Sequence, residues 1–153
     1  MTSPSSATEM FTKVTGWILS APHCALLGIS LVEFNHSIIL KLPYDSRWVG
    51  NPQTGVLHGG VITTLIDTSS GLAVFAALPQ REVIATLDLR IDYLRPATPH
   101  LPVYCKAECY RLSRHIAFTR ATAYQDDSDQ PLAYSVGTFM RSSSSNQTKQ
   151  ESR

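Results

Sequence analysis

Between Asn51-Pro52 and Pro79 the chain runs without a break, and its single formal charge there is Asp67. The stretch NPQTGVLHGGVITTLIDTSSGLAVFAAL opens on turn residues and takes up helical spacing from Gly59-Gly60 onward. Val61, Ile62, Leu65, Ile66, Leu72, Ala73 and Val74 make a broad apolar band, while Thr63, Thr64, Asp67, Ser70 and Gly71 share a small, polar face by their spacings of three and four. A helix of about 18 residues is on the order of 27 Å long, enough to cross a whole sheet. Whatever else the chain does, it must cover the apolar band of this helix.

The rest of the chain supplies the cover. Val83 to Leu94 alternates, with Val83, Ala85, Leu87, Leu89, Ile91 and Tyr93 on one side and Thr86, Asp88, Arg90 and Asp92 on the other. Three more strands, Val103–Leu112, Ile116–Gln125 and Leu132–Met140, follow with turns short enough for antiparallel neighbours. Upstream, Leu26–Phe34 and Ser37–Leu42 read as two strands around an Asn35-His36 turn, and Tyr44–Thr54 as a loop. Met10–Leu19 has helical spacing and ends at Ala21-Pro22; residues 1–9 are expected to be loose and 142–153, serine-rich and polar, to be disordered. The expected architecture is α+β: a long central helix wrapped by a curved antiparallel sheet, with one extra helix at the N-terminus. Its divisions are 1–21, tail and helix; 22–141, the domain; and 142–153, the tail.

With 153 residues, 43% of them hydrophobic, the chain is long enough for one domain with a real core. A net charge of +1 gives no general attraction to nucleic acid or an anionic membrane. No run of apolar residues is expected to span a bilayer, and the N-terminus has no signal-peptide pattern. Cys24, Cys105 and Cys109 form neither a CxxC pair nor a zinc spacing and read as small hydrophobes. No metal is expected, and a cytosolic location is. Phosphate loops, dinucleotide fingerprints and nucleophile elbows are absent from the sequence.

Chemistry concentrates in the central stretch. Gly59-Gly60 leads into a helix N-terminus, where free N–H groups and the dipole suit a developing oxyanion, although two glycines also serve a tight turn. Asp67, mid-helix among leucine and isoleucine, either bonds a hydroxyl such as Thr63 or Ser70, faces water, or acts as general base or nucleophile. Eight residues of helix separate Gly59 from Asp67 by about 12 Å, too far to serve one carbonyl from a single chain. If both act, two helices must run antiparallel across a two-fold axis, each site using one chain's glycine and the other's aspartate.

The pattern N-P-x-x-G-V-x-H-G-G-x-x-x-x-L-x-D, followed by T-L-D-L-R-I-D-Y-L-R-P-A, resembles the hotdog-fold acyl-CoA thioesterases of the phenylacetate-pathway, PaaI-like, type. The resemblance spans about residues 22–141. Leu112–Phe118 is similar to a family turn near coenzyme A but has a serine where glycine is usual.

The resemblance implies roles. Gly59 would supply the oxyanion N–H, Asp67 of the other subunit would activate water or attack, and Asn51 would hold the thioester or the water, with Gln53 as a competing choice. His58 and Gly60 would shape and line the entrance, the small-residue walls around Thr63, Thr64, Ser70 and Gly71 would accept an acyl or aryl tail, and Thr86 would stand near the water. Arg114, from a pool with Arg90, Arg95 and Arg111, would meet coenzyme A phosphates. The implied reaction is hydrolysis of acyl-CoA by a homodimer, or a dimer of such dimers, without cofactor, since coenzyme A belongs to the substrate. Two rivals are a hotdog dehydratase or hydratase, and a non-catalytic dimeric acyl-CoA binding module.

Overall fold

The computed structural model describes residues 4–142, with side chains from Thr8 onward. Two N-terminal helices, α1 (Pro4–Ser20) and α2 (Pro22–Leu27), precede strands β1 (Ser30–Phe34) and β2 (Ile38–Leu42). A 3-10 turn (Ser46–Trp48) and a small ladder of β3 (Val49–Asn51) and β4 (Val56–Leu57) lead into the long helix α3 (Gly59–Ala77). Strands β5 (Val83–Tyr93), β6 (Val103–Leu112), β7 (Ile116–Tyr124) and β8 (Ala133–Ser142) follow. The main sheet is antiparallel in the order β1-β2-β6-β7-β8-β5.

α3 lies across one face of this sheet, as its apolar band requires. Leu65, Ile66, Leu72 and Val74 have no exposed surface. The strands facing them present mostly small side chains, Ala107, Ala117, Ala121, Ala123 and Ala133, all buried. Alanines under a leucine-rich helix let the two layers approach and interdigitate, so bulk on one side meets space on the other. Bulges in β1, β5 and β6 break the ladder register, and bulges bend strands, which helps the sheet to curve round the helix.

Several expectations need correction. The first helix starts at Pro4, within the segment expected to be loose. Leu26 and Leu27 belong to a second helix and not to a strand: Pro22 occupies its first turn, where a missing N–H costs nothing, and Gly28 ends it in the left-handed region at φ 69°. The last strand extends to Ser142, and the rest of the serine-rich tail, 143–153, lies outside the described residues. α3 is, by length and composition, apolar enough to cross a membrane, against expectation, but its buried face rests on the sheet.

The largest correction concerns β5. Its pairing with β8 slips between Thr86 and Asp88, so alternation changes phase there. Thr86 pairs with the inward Phe139, and Leu89, Ile91 and Tyr93 pair with inward Gly137, Ser135 and Ala133. Ala85, Asp88, Arg90 and Asp92 take the outer phase. The extra residue, Leu87, is 56% exposed. A bulge is invisible to a period-two reading, because one added residue exchanges the faces beyond it.

Candidate active site

The loop before α3 is built by local hydrogen bonds. Asp45 caps the 3-10 turn by accepting from the Arg47 N–H at 2.8 Å. Asn51 Oδ1 accepts from the Gln53 N–H at 3.0 Å, an Asx turn, and its backbone oxygen accepts from Gly55 at 2.9 Å. The turn therefore employs the Asn51 side-chain oxygen and leaves its amide N–H groups for other work. His58 N–H donates to the Trp48 carbonyl at 2.8 Å, bringing the strands so close that a Cβ on Gly50 would lie 2.9 Å from the His58 Cα.

At the helix entrance His58 is the N-cap: its Nδ1 accepts from the Gly60 N–H at 2.9 Å. The proton of a neutral ring is then on Nε2. A Cβ at residue 60 would lie 2.9 Å from that Nδ1, so the cap itself demands glycine. The Gly59 N–H is different. It precedes the first intrahelical bond and has no acceptor among the described residues. It is thus a free donor at the positive end of a 19-residue helix.

Tyr93, which sequence reasoning gave no role, secures this first turn. Its hydroxyl donates to the Gly59 carbonyl at 2.8 Å and lies 2.7 Å from Thr63 Oγ1, which also bonds that carbonyl at 3.2 Å. The tyrosine was legible as part of the Y-x-R-P-A segment. Its place over the helix entrance depends on how β5 crosses α3, which no local pattern encodes.

Asp67 is half-buried on α3, and Oδ1 accepts a hydrogen bond from Thr86 Oγ1 at 2.9 Å. Neither Thr63 nor Ser70 holds it. The bulge in β5 is what turns Thr86 inward to reach the carboxylate. None of the ion pairs among the described residues includes Asp67. On one helix it stands about 12 Å from Gly59, the distance expected for eight residues.

The remaining predicted residues divide. Thr64 lies near the entrance, bonding the Gly60 carbonyl at 3.2 Å and His23 Nε2 at 3.2 Å. Ser70 is not on the open face: it is 1% exposed and turned into the core, and its Oγ has no hydrogen-bond partner among the described residues. The helical spacing was right, but the sheet covers that edge of the polar stripe. Arg114 is exposed in the β6–β7 turn, at the end of the sheet that packs on the last turns of α3, away from Gly59 of the same chain. Of its pool, Arg90 pairs with Asp92 at 3.1 Å, Arg95 donates to the Gln130 carbonyl and Arg111 lies over the Phe118 ring. All three cysteines are free thiols. Cys105 is fully enclosed, and burial pushes its thiol up to about 12.

A long central helix wrapped by a curved antiparallel sheet is the hotdog fold of thioester hydrolases. The chain belongs to the thioesterase superfamily, whose family profile matches residues 54–132. The medium/long-chain acyl-CoA thioesterase YigI of Salmonella typhimurium is 27% identical over 149 residues, covering 86% of this chain and 94% of that protein. A Halobacterium salinarum protein is 42% identical over 77 residues, 48% of this chain and 51% of its own length, so the chain spans about half of that relative. Among solved structures, a Pseudomonas aeruginosa protein superposes with a TM-score of 0.77 at 46% identity, covering 87% of this chain and 99% of that one. The Thermus thermophilus phenylacetic acid degradation protein PaaI, in a mutant form, shares the fold at a TM-score of 0.69 and 24% identity, covering 80% of this chain and 100% of that one.

Proposed function

We propose that the chain hydrolyses acyl-CoA thioesters in a site shared between two subunits. The Gly59 N–H of one subunit binds the thioester oxygen, and Asp67 of the other is general base or nucleophile. One observation carries the reading: a free oxyanion donor and a hydroxyl-held carboxylate stand on a single helix about 12 Å apart, each lacking the other. An antiparallel second copy supplies the missing half of each site. β5 supports such a pairing, since it is an 11-residue strand at the sheet edge, and two copies joined there would satisfy each other's free backbone groups. The proposal is for a cytosolic homodimer, or a dimer of such dimers.

In the base mechanism, Asp67 takes a proton from water as the oxygen attacks the thioester carbon. The tetrahedral oxyanion rests on the Gly59 N–H, the C–S bond breaks, and the thiolate leaves and regains the proton. In the nucleophile mechanism the carboxylate attacks the thioester carbon, the C–S bond breaks and the thiolate leaves; water then opens the mixed anhydride, returning the Asp67 carboxylate and the free acid while its proton goes to the thiolate. Thiolate is a good leaving group, so these groups suffice for the chemistry. Asn51, through its amide N–H groups, or Gln53 would orient the carbonyl or the water. Thr86 steadies the carboxylate, and His58 and Gly60 set the entrance. Arg114 is proposed to reach coenzyme A phosphates. The name of the Salmonella relative favours medium and long acyl chains as substrates.

A panel of short, medium, long and aryl acyl-CoAs, read by thiol release with Asp67→Asn alongside, tests the reading. Release by the wild type and its loss in the variant are expected. No thiol from any substrate overturns the acyl-CoA assignment, and a full-rate Asp67→Asn overturns the role of the carboxylate.

A further inference from the structure

Beside the helix entrance a groove of about 390 Å³ runs between α2, the 3-10 turn and the first two turns of α3. We propose that this groove takes the acyl tail of the substrate, with α2 as its outer wall; the inference rests on the thioesterase reading above. Continuity with the site is the first reason. His58 and Gly60, the neighbours of Gly59 on either side, both line it, so a carbonyl held on the Gly59 N–H has its alkyl arm at the mouth.

Wall chemistry is the second reason. Leu26, Leu27, Trp48, Val49 and Val61 are apolar. Of the polar side chains beside them, His23 is engaged with Thr64 at 3.2 Å and Arg47 with Asp45 at 2.7 Å, which leaves the His58 ring, at the reaction end of the groove, as the polar group facing the substrate. α2 is held by the buried Cys24 and Leu27 while leaving Leu26 57% exposed on the groove side, apolar surface that a hydrocarbon would cover. Two other cavities of similar size each carry three charged residues, Glu9, Lys13 and Arg81 in one and Lys106, Glu108 and Arg120 in the other, against Arg47 alone here, and neither includes a residue of α3.

The groove is open along one side, so its volume gives an upper bound on length. At roughly 30 Å³ for each water-sized group, the space holds on the order of ten methylenes. Efficiency should then climb from acetyl- to about decanoyl-CoA and level off, each well-buried methylene raising kcat/KM by up to about fourfold.

The test is kcat/KM along a series from acetyl- to palmitoyl-CoA for the wild type, Val61→Trp, which fills the groove, and Leu26→Asp, which charges an exposed wall. Expected is a loss of about tenfold or more for decanoyl-CoA in each variant, with acetyl-CoA changed by less than about twofold. An equal loss at every length, or no change at any length in an active enzyme, overturns the groove assignment alone. A wild type inactive on the whole series and on the aryl acyl-CoAs as well overturns the thioesterase reading with it. Should Val61→Trp fail to fold, Leu26→Asp, at a surface position, decides.

Discussion

The shared site can be tested by removing one hydrogen atom from the backbone. Gly59→Pro deletes the proposed oxyanion donor, and the fold is prepared for it. Proline is favoured at the first helical position, the lost N–H has no acceptor among the described residues, and His58 already sits at φ −64° and ψ 133°, the extended region a residue before proline prefers. A Cβ there meets the Tyr93 ring at 3.5 Å, an ordinary contact. Stability should therefore change little, whereas kcat should fall by about 10²–10³, the usual cost of one oxyanion donor. Asp67→Asn should cost about 10²–10⁴. The two inactive variants are then mixed, unfolded and refolded together. Random pairing makes half the dimers mixed, and each mixed dimer carries one site with both defects and one with neither. Thiol release should return to about a quarter of the wild-type rate, as two equivalent shared sites require. If mixed dimers form, shown by differently tagged subunits, and no activity returns, the two residues do not meet across a dimer. A Gly59→Pro enzyme at full rate would remove the N–H from the mechanism.

Thr86→Val removes the hydroxyl that holds Asp67; a hydrogen bond to a charged group is worth about 1.5–3 kcal/mol, so kcat should fall about tenfold or more with KM little changed in steady-state assays. Ser70→Ala deletes a buried hydroxyl without a partner among the described residues and should raise the melting temperature, by up to about 1 kcal/mol of stability, with activity unchanged; a large loss of activity would restore Ser70 to the substrate site. Glu82→Ala strands the Arg141 guanidinium, which bonds Glu82 at 2.9 Å and the Ser113 carbonyl at 2.9 Å, and should cost about 3 kcal/mol in denaturant unfolding. Burial raises the Cys105 thiol from its ordinary 9.0 to about 12, so the unfolded chain ionises first as pH rises: the stability tied to this neutral thiol is full below about pH 9 and falls toward 12. Cys105→Ala should flatten that alkaline limb in melting curves taken across the range.

The central helix, its length, its apolar band and the oddness of Asp67 were legible in the sequence because they are periodic and local. So was the separation of Gly59 from Asp67, since helical rise is the same in every protein. The alternating runs after Pro79 likewise announced the strands that cover the helix. Other features depended on pairing between distant segments. A single extra residue at Leu87 decided that Thr86 turns toward Asp67, because the ladder with β8, and not the alternation of β5, sets the phase. The packing of α3 on the sheet decided that Ser70 is buried while Asp67, three residues earlier, stays half-open. His58 proved to be the cap that makes Gly60 obligatory, and Tyr93 the clamp on the entrance, once the loop and β5 had been brought to the helix. The groove beside α2 has the same origin, with walls from three segments far apart in the chain. The sequence by itself determined which groups could do chemistry and how far apart one helix must hold them, because bond geometry and side-chain period are local. Only the tertiary structure decided which neighbours hold and face them, because strand register and layer packing are settled between residues that the chain keeps far apart.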